Sequence, residues 1–205
     1  MKTLGLLFGG ESRVKIMRLF LFNPETAYDL DMISQKSKIS LKAAKKDLVV
    51  LEKADLIKKR SFFKIVKKKK RGKVIEAKKR TKGYILNNDF SYLTSLKQLL
   101  MSTKTFEDEK IVKSLSRAGK LRLVTVAGVF TQDKDSRLDM LVVGNNLSKA
   151  SLNDVIKKIE SELGSDILYA YFEAPDFEYR LSMNDKLIRD VLDYPHKVLL
   201  DKRGS

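Results

Sequence analysis

The chain has 205 residues and carries 42 Lys and Arg against 26 Asp and Glu, a formal charge of +16. It has no cysteine, which excludes a disulfide framework, a thiolate nucleophile and a cysteine-ligated zinc or iron–sulfur site, and its one histidine, His196, excludes a His-pair metal site and argues against triad chemistry. No run approaches the roughly 18 continuous apolar residues of a membrane span. The start MKTLGLLFGGESR shows no signal-cleavage pattern. A cytoplasmic protein with no membrane partner is the expectation.

The charge is unevenly placed. Residues 1–104 hold 26 Lys and Arg against 9 Asp and Glu, whereas residues 105–205 hold 16 against 17. Such an asymmetry predicts one module that binds a polyanion and another with a different task.

In chain order, Gly9-Gly10 reads as a loop before the first helix. Ser12 is the expected cap of that helix, in which Val14, Met17 and Leu21 fall at i, i+3 and i+7 with Phe20 beside them. Asn23-Pro24 ends it, because the residue before proline avoids the α region. Asp29 is the expected N-cap of a short second helix that turns Leu30 and Ile33 inward. After only Lys38-Ile39, Ser40 caps a third helix reaching about Ala54. Ala44, Leu48 and Leu51 form its inner stripe, and Lys42, Lys45 and Lys46 its outer one.

Residues 57–86 alternate as two extended runs, Ile57–Val66 and onward from Val74, around a Lys-Arg-Gly-Lys turn at 70–73, where Gly72 supplies a positive φ. This hairpin holds 14 basic residues and one acid, Glu76. It is too charged to bury and is expected to project into solvent or onto a partner. Phe62 and Phe63 point to opposite faces. One is expected in the core and the other against the helices, with stacking on a base as the alternative.

Residues 88–118 read as a helical connector, on the apolar spacing of Tyr92, Leu93, Leu96, Leu99 and Leu100, then Ile111, Val112 and Leu115. Strands follow at Leu121–Phe130 and Leu138–Val143, then an amphipathic helix over 151–163 closed by Gly164. A third strand at Ile167–Phe172, a helix from Asp176 to about Leu192 stopped before Pro195, and a short strand at Lys197–Leu200 complete the chain. The expected class is α+β, with domains at 1–87, 88–118 and 119–205, the last a small α/β unit with a mixed sheet.

Helix, helix, capped basic helix and basic hairpin is the order of a winged helix-turn-helix. A helix fits the major groove of duplex DNA, and a flanking hairpin lays cations along the phosphates. The expected contacts on the third helix are Ser40, Lys42, Ala43, Lys45 and Lys46. On the hairpin they are Lys58, Lys59, Arg60, Lys64, Lys67, Lys68, Lys69, Lys70, Arg71, Lys73, Lys78, Lys79, Arg80 and Lys82. Eleven of these fourteen are lysine, a point charge rather than a fork for guanine, so the hairpin is expected to add affinity more than sequence choice.

In the second half, Gly128-Val129-Phe130 followed by Asp135-Ser136-Arg137-Leu138-Asp139-Met140-Leu141-Val142-Val143 resembles the minimal nucleotidyltransferase signature. The resemblance implies a Gly-Ser turn for nucleotide phosphate and two carboxylates, two residues apart on a strand, sharing divalent metal. Gly128, Ser136 and Asp139 match it, but Val129 stands for the serine and Arg137 for the first carboxylate. The strand Ile167–Phe172 offers no third acid, and Glu173 at its end is a weak substitute. One carboxylate does not hold a catalytic Mg²⁺ pair, so a degenerate, non-catalytic domain without metal or cofactor is expected, with an Arg137–Asp139 ion pair in place of the metal.

The chain as a whole, through LFGGESRVKIMRLFLFNPE, SRLDMLVVG and FEYRLSMNDKLIRDVLDYPHKVLL, is similar to prokaryotic winged-helix transcriptional regulators that carry such a nucleotidyltransferase-like domain. The resemblance implies a DNA-binding module joined to an α/β domain. The expected function is a regulator of transcription that binds double-stranded DNA through its first half, while its second half dimerises, recruits a protein partner or senses a ligand. An RNA- or ribosome-associated protein and an active minimal nucleotidyltransferase are the alternatives.

Overall fold

Gly9 and Gly10, at φ 78° and 145°, separate two helices where the sequence suggested one preceded by a loop. These are α1 (Lys2–Phe8) and α2 (Glu11–Phe22), followed by α3 (Leu30–Ser37), α4 (Leu41–Lys53), β1 (Ile57–Lys70), β2 (Lys73–Leu86) and α5 (Leu93–Met101). This computed structural model describes residues 2–70, 73–101, 108–133 and 135–203, with the backbone alone for 67–70 and 73–75. The protein is α+β and forms two compact units, one of Met1–Met101 with Ser161–Gly164, the other of Ser102–Glu160 with Ser165–Ser205.

The first unit is built round α2, whose Val14, Ile16, Met17, Leu19, Phe20 and Leu21 are all buried. Around it close Ile33 of α3, the Ala44–Leu48–Leu51 stripe of α4, and Ile57 and Leu86 at the root of the hairpin. Ser12 does not cap α2: the N-cap is Gly10, without a side-chain bond, and the Ser12 hydroxyl donates to Asp47 at 2.5 Å. Asp47 also receives Arg13 Nε at 3.1 Å, so a buried carboxylate on α4 is satisfied by two donors from α2. Arg18, likewise fully buried, donates to the carbonyls of Leu100 and Glu162 at 3.0 and 2.7 Å. Burial lowers its pKa to about 10, with the charge of Glu162 acting in the opposite sense.

The caps of the next two helices follow the sequence. Asp29 accepts from the Met32 amide at 2.9 Å and Ser40 from that of Ala43 at 3.2 Å. Lys38, in the left-handed region at φ 49°, turns the chain between α3 and α4. Strands β1 and β2 pair antiparallel without a break, from Ile57 opposite Leu86 to Lys70 opposite Lys73. Arg71 and Gly72 of the expected turn lie outside the described residues. An antiparallel bridge between Tyr28 and Tyr84 fastens the hairpin root to the segment before α3. It requires Gly83, since a Cβ there would lie 2.3 Å from the Tyr28 carbonyl oxygen.

The second unit contains α6 (Asp108–Leu115), β3 (Lys120–Val126), β4 (Met140–Asn145), α7 (Lys149–Leu163, whose last turn counts with the first unit), β5 (Tyr169–Glu173), α8 (Ala174–Ser182), α9 (Lys186–Asp193) and β6 (Lys197–Asp201). The sheet order is β5-β4-β3-β6, with β4 and β5 parallel and the other pairs antiparallel, a mixed sheet. A helix connects the parallel pair, as a crossover requires. Leu123, Leu141 and Val143 face Phe177 of α8 and Ile188 and Val191 of α9 in one core. The first strand stops at Val126, short of the expected Phe130, because Gly128 at φ 52° opens a single 3₁₀ turn. The expected single helix over 176–192 is two. Asn184 turns at φ 53°, and Asp185 caps α9 by accepting from Leu187 at 2.9 Å.

Candidate nucleic-acid interface

Along α4 the helical period that buries Ala44, Leu48 and Leu51 turns Lys42, Lys45 and Lys46 out to solvent. Ala43 is half-buried, and Ser40 holds the start of the helix through its hydroxyl. Leu41 and Val49 share the outer face, 49% and 44% exposed, and were not singled out from the sequence. Their spacing, i and i+8 with Lys45 midway, was the available signal. The face therefore offers ammonium groups flanked by apolar side chains.

Among the described residues, some cations of the hairpin pair with acids and others do not. Arg60, Lys78, Lys79, Arg80 and Lys82 are exposed. Lys58, Lys59 and Lys64 are paired with acids of their own unit. Lys59 Nζ lies 2.7 Å from Glu52 at the end of α4, and Lys58 lies 3.8 Å from Asp89. Lys64 donates to the buried Asp29, the cap of α3. The hydrogen bond to Glu52 raises the Lys59 pKa, and that to Asp29 raises the pKa of Lys64. Burial pushes Asp29 up, but the Lys64 hydrogen bond and charge, together with the Met32 amide, outweigh it and hold Asp29 below the usual carboxylate range. Lys64 is thus a tie between hairpin and helix. The side chains of Lys67, Lys68, Lys69, Lys70, Arg71 and Lys73 lie outside the described residues.

Register separates the hairpin's faces. Phe62 opposite Thr81 and Val66 opposite Ala77 are half-buried, and the Phe62 ring edge would lie 2.8 Å from a Cβ at Gly83. Ser61 opposite Lys82, Phe63 opposite Arg80, and Ile65 opposite Lys78 are exposed. Only Phe62 packs. Phe63, expected to find a place against the helices if Phe62 took the core, is instead 68% exposed.

In the second unit Asp139, Ser136 and Glu173, which the sequence singled out, all bond to the backbone. Asp139 Oδ1 accepts from the Val129 amide and Oδ2 from the Leu168 amide, each at 2.8 Å. Gly128 leaves room for that carboxylate, since a Cβ would lie 2.2 Å from Oδ1. The Ser136 hydroxyl donates to the Leu138 carbonyl at 2.7 Å. Arg137 does not form the expected pair with Asp139; its Nε lies 3.1 Å from Asp190 of α9. Glu173 accepts from the Asn146 and Leu147 amides, both at 2.9 Å, and so closes the loop after β4. Among the described residues no three acidic or histidine side chains gather where a metal ion would fit, and no helix is long and apolar enough to cross a membrane.

No family model matches the chain, and neither a curated protein nor a solved structure matches it.

Proposed function

We propose that the first unit is a winged helix-turn-helix that binds double-stranded DNA, with α4 as the reading helix and the β1–β2 hairpin as the wing, and that the protein acts in transcriptional regulation. The observation that carries this is the outward placement of Lys42, Lys45 and Lys46 on α4, in a unit whose hairpin adds 14 basic residues against one acid. Cations held this close repel one another unless a polyanion lies beside them. Counterion release from the duplex then favours binding. The second unit is a nucleotidyltransferase-like domain without catalytic activity, because the one matching carboxylate, Asp139, already has a backbone donor on each oxygen.

Division of labour between helix and wing gives the test. Lys45→Ala is expected to change the order of preference among duplex sequences in a selection from random DNA. Replacing Lys78, Lys79 and Arg80 together by Gln is expected to weaken all sequences alike and to flatten the salt dependence by about one unit of slope for each phosphate no longer neutralised. Identical effects of the two changes would remove the distinction, and no effect of either would remove DNA binding from this surface.

A further inference from the structure

Phosphate binding explains the cations of the hairpin but not its exposed apolar side chains. Phe63 and Ile65 stand 68% and 63% exposed, two residues apart on β1 and therefore on one face. Their cross-strand partners on that face are Arg80 and Lys78, with Lys82 opposite Ser61 in the next pair. Directly opposite residues in an antiparallel ladder have Cβ atoms about 5 Å apart, so a ring and a guanidinium sit side by side. The six positions hold three cations and no acid.

Resting on the DNA-binding function proposed above, we infer that this outer face is a stacking site for an unpaired base of DNA, with the Phe63 ring on the base and Arg80 and Lys78 on the flanking phosphates. In an intact duplex both faces of every base are covered by their neighbours, and only edges reach the grooves. A ring exposed on a paired strand can meet a base face only where the stack is opened. Stacking of this kind is tolerant of sequence because every base has a π-face, and an adjacent arginine strengthens it. The charge pattern selects the occupant: an apolar protein segment gains nothing from three cations, whereas an opened DNA strand offers bases and phosphates at alternating positions. The inferred consequence is a preference for DNA carrying a local opening over the same DNA fully paired.

The test compares the full chain on two labelled duplexes of one sequence, one fully paired and one with a central four-nucleotide bubble, by fluorescence anisotropy at the same salt. Wild type is expected to bind the bubble about tenfold more tightly, within the range that one stacked base gives. Phe63→Ala is expected to abolish that preference while changing affinity for the paired duplex by less than about twofold, and Phe63→Tyr to retain it. Ile65→Ala, which removes apolar area but no ring, is expected to keep it. Equal binding of both duplexes by wild type, an unchanged ratio in Phe63→Ala, or full retention by Phe63→Leu would overturn the stacking site and leave the DNA-binding function standing. Failure of wild type to bind either duplex would overturn that function and the stacking site with it.

Discussion

Asp139 shows how one side chain can clasp two distant stretches of backbone. Its two oxygens each receive a backbone amide at 2.8 Å, from Val129 in the 3₁₀ turn and from Leu168 at the entry to β5. Removing the carboxylate leaves two donors without their acceptor, which costs roughly 2 kcal/mol at a partly buried site. Asp139→Ala is therefore expected to speed hydrogen exchange at the Val129 and Leu168 amides by about 30-fold, the same free energy expressed as a rate. Unchanged exchange would show that the clasp contributes nothing. Asp29 offers a pH-dependent counterpart. Its carboxyl is held below its ordinary value, so the Asp29–Lys64 tie stabilises the fold above the unfolded-state pKa of about 4 and is lost as pH falls through the lower folded-state value. The raised pKa of Lys64 keeps the ammonium charged well into the alkaline range, so acid, and not moderate alkali, opens the tie. Below pH 4 the amides of Tyr28 and Tyr84 are expected to exchange faster than their intrinsic rates account for. Asp29→Asn, which keeps an acceptor for the cap but has no titrating group, is expected to abolish that pH dependence. Persistence of the dependence in Asp29→Asn would assign it elsewhere.

At the scale of elements, what was legible from the sequence is what local periodicity determines. The cap and inner stripe of α4 follow from Ser40 and the 3.6-residue spacing of Ala44, Leu48 and Leu51, and the hairpin's pairing follows from alternation round residues 70–73. Helix α1 was missed because its seven residues give barely two turns and two of its leucines, Leu6 and Leu7, stay exposed. The break between α8 and α9 was missed because Asn184, rather than a glycine, takes the left-handed turn. Partners distant in sequence were not legible at all: Ser12 with Asp47 and Lys64 with Asp29 are each 35 residues apart. Of the candidate site, the sequence shows which residues are cations but not that Lys58, Lys59 and Lys64 are paired with acids. The hairpin root provides a test at this scale. Gly83→Ala would drive a methyl into the Tyr28 carbonyl at 2.3 Å, a backbone atom with no room to retreat. The substitution is expected to break the Tyr28–Tyr84 bridge and to destabilise the first unit by about 2 kcal/mol, read as an earlier urea transition. A transition at the wild-type midpoint would mean that the bridge does not hold the hairpin.

For the whole molecule, the first compact unit carries 25 Lys and Arg against 10 Asp and Glu, and the second 17 against 16. The two compact units thus differ in what they can attract, whatever each is for. If the second unit is non-catalytic, the full chain incubated with labelled nucleoside triphosphates and Mg²⁺ transfers no label to itself, to nucleic acid or to protein. Labelling that disappears in Asp139→Ala would restore a catalytic role. The proposed DNA-binding function rests on the first unit's cations acting together on a phosphate polymer. The most direct measurement is the affinity of the full chain for duplex DNA and for structured RNA across a salt series. If about six phosphates are neutralised at ~0.9 counterion each, a log–log slope of roughly −5 or steeper is predicted for duplex DNA, with weaker binding to RNA at matched salt. A slope near zero, or tighter binding to RNA, would contradict it.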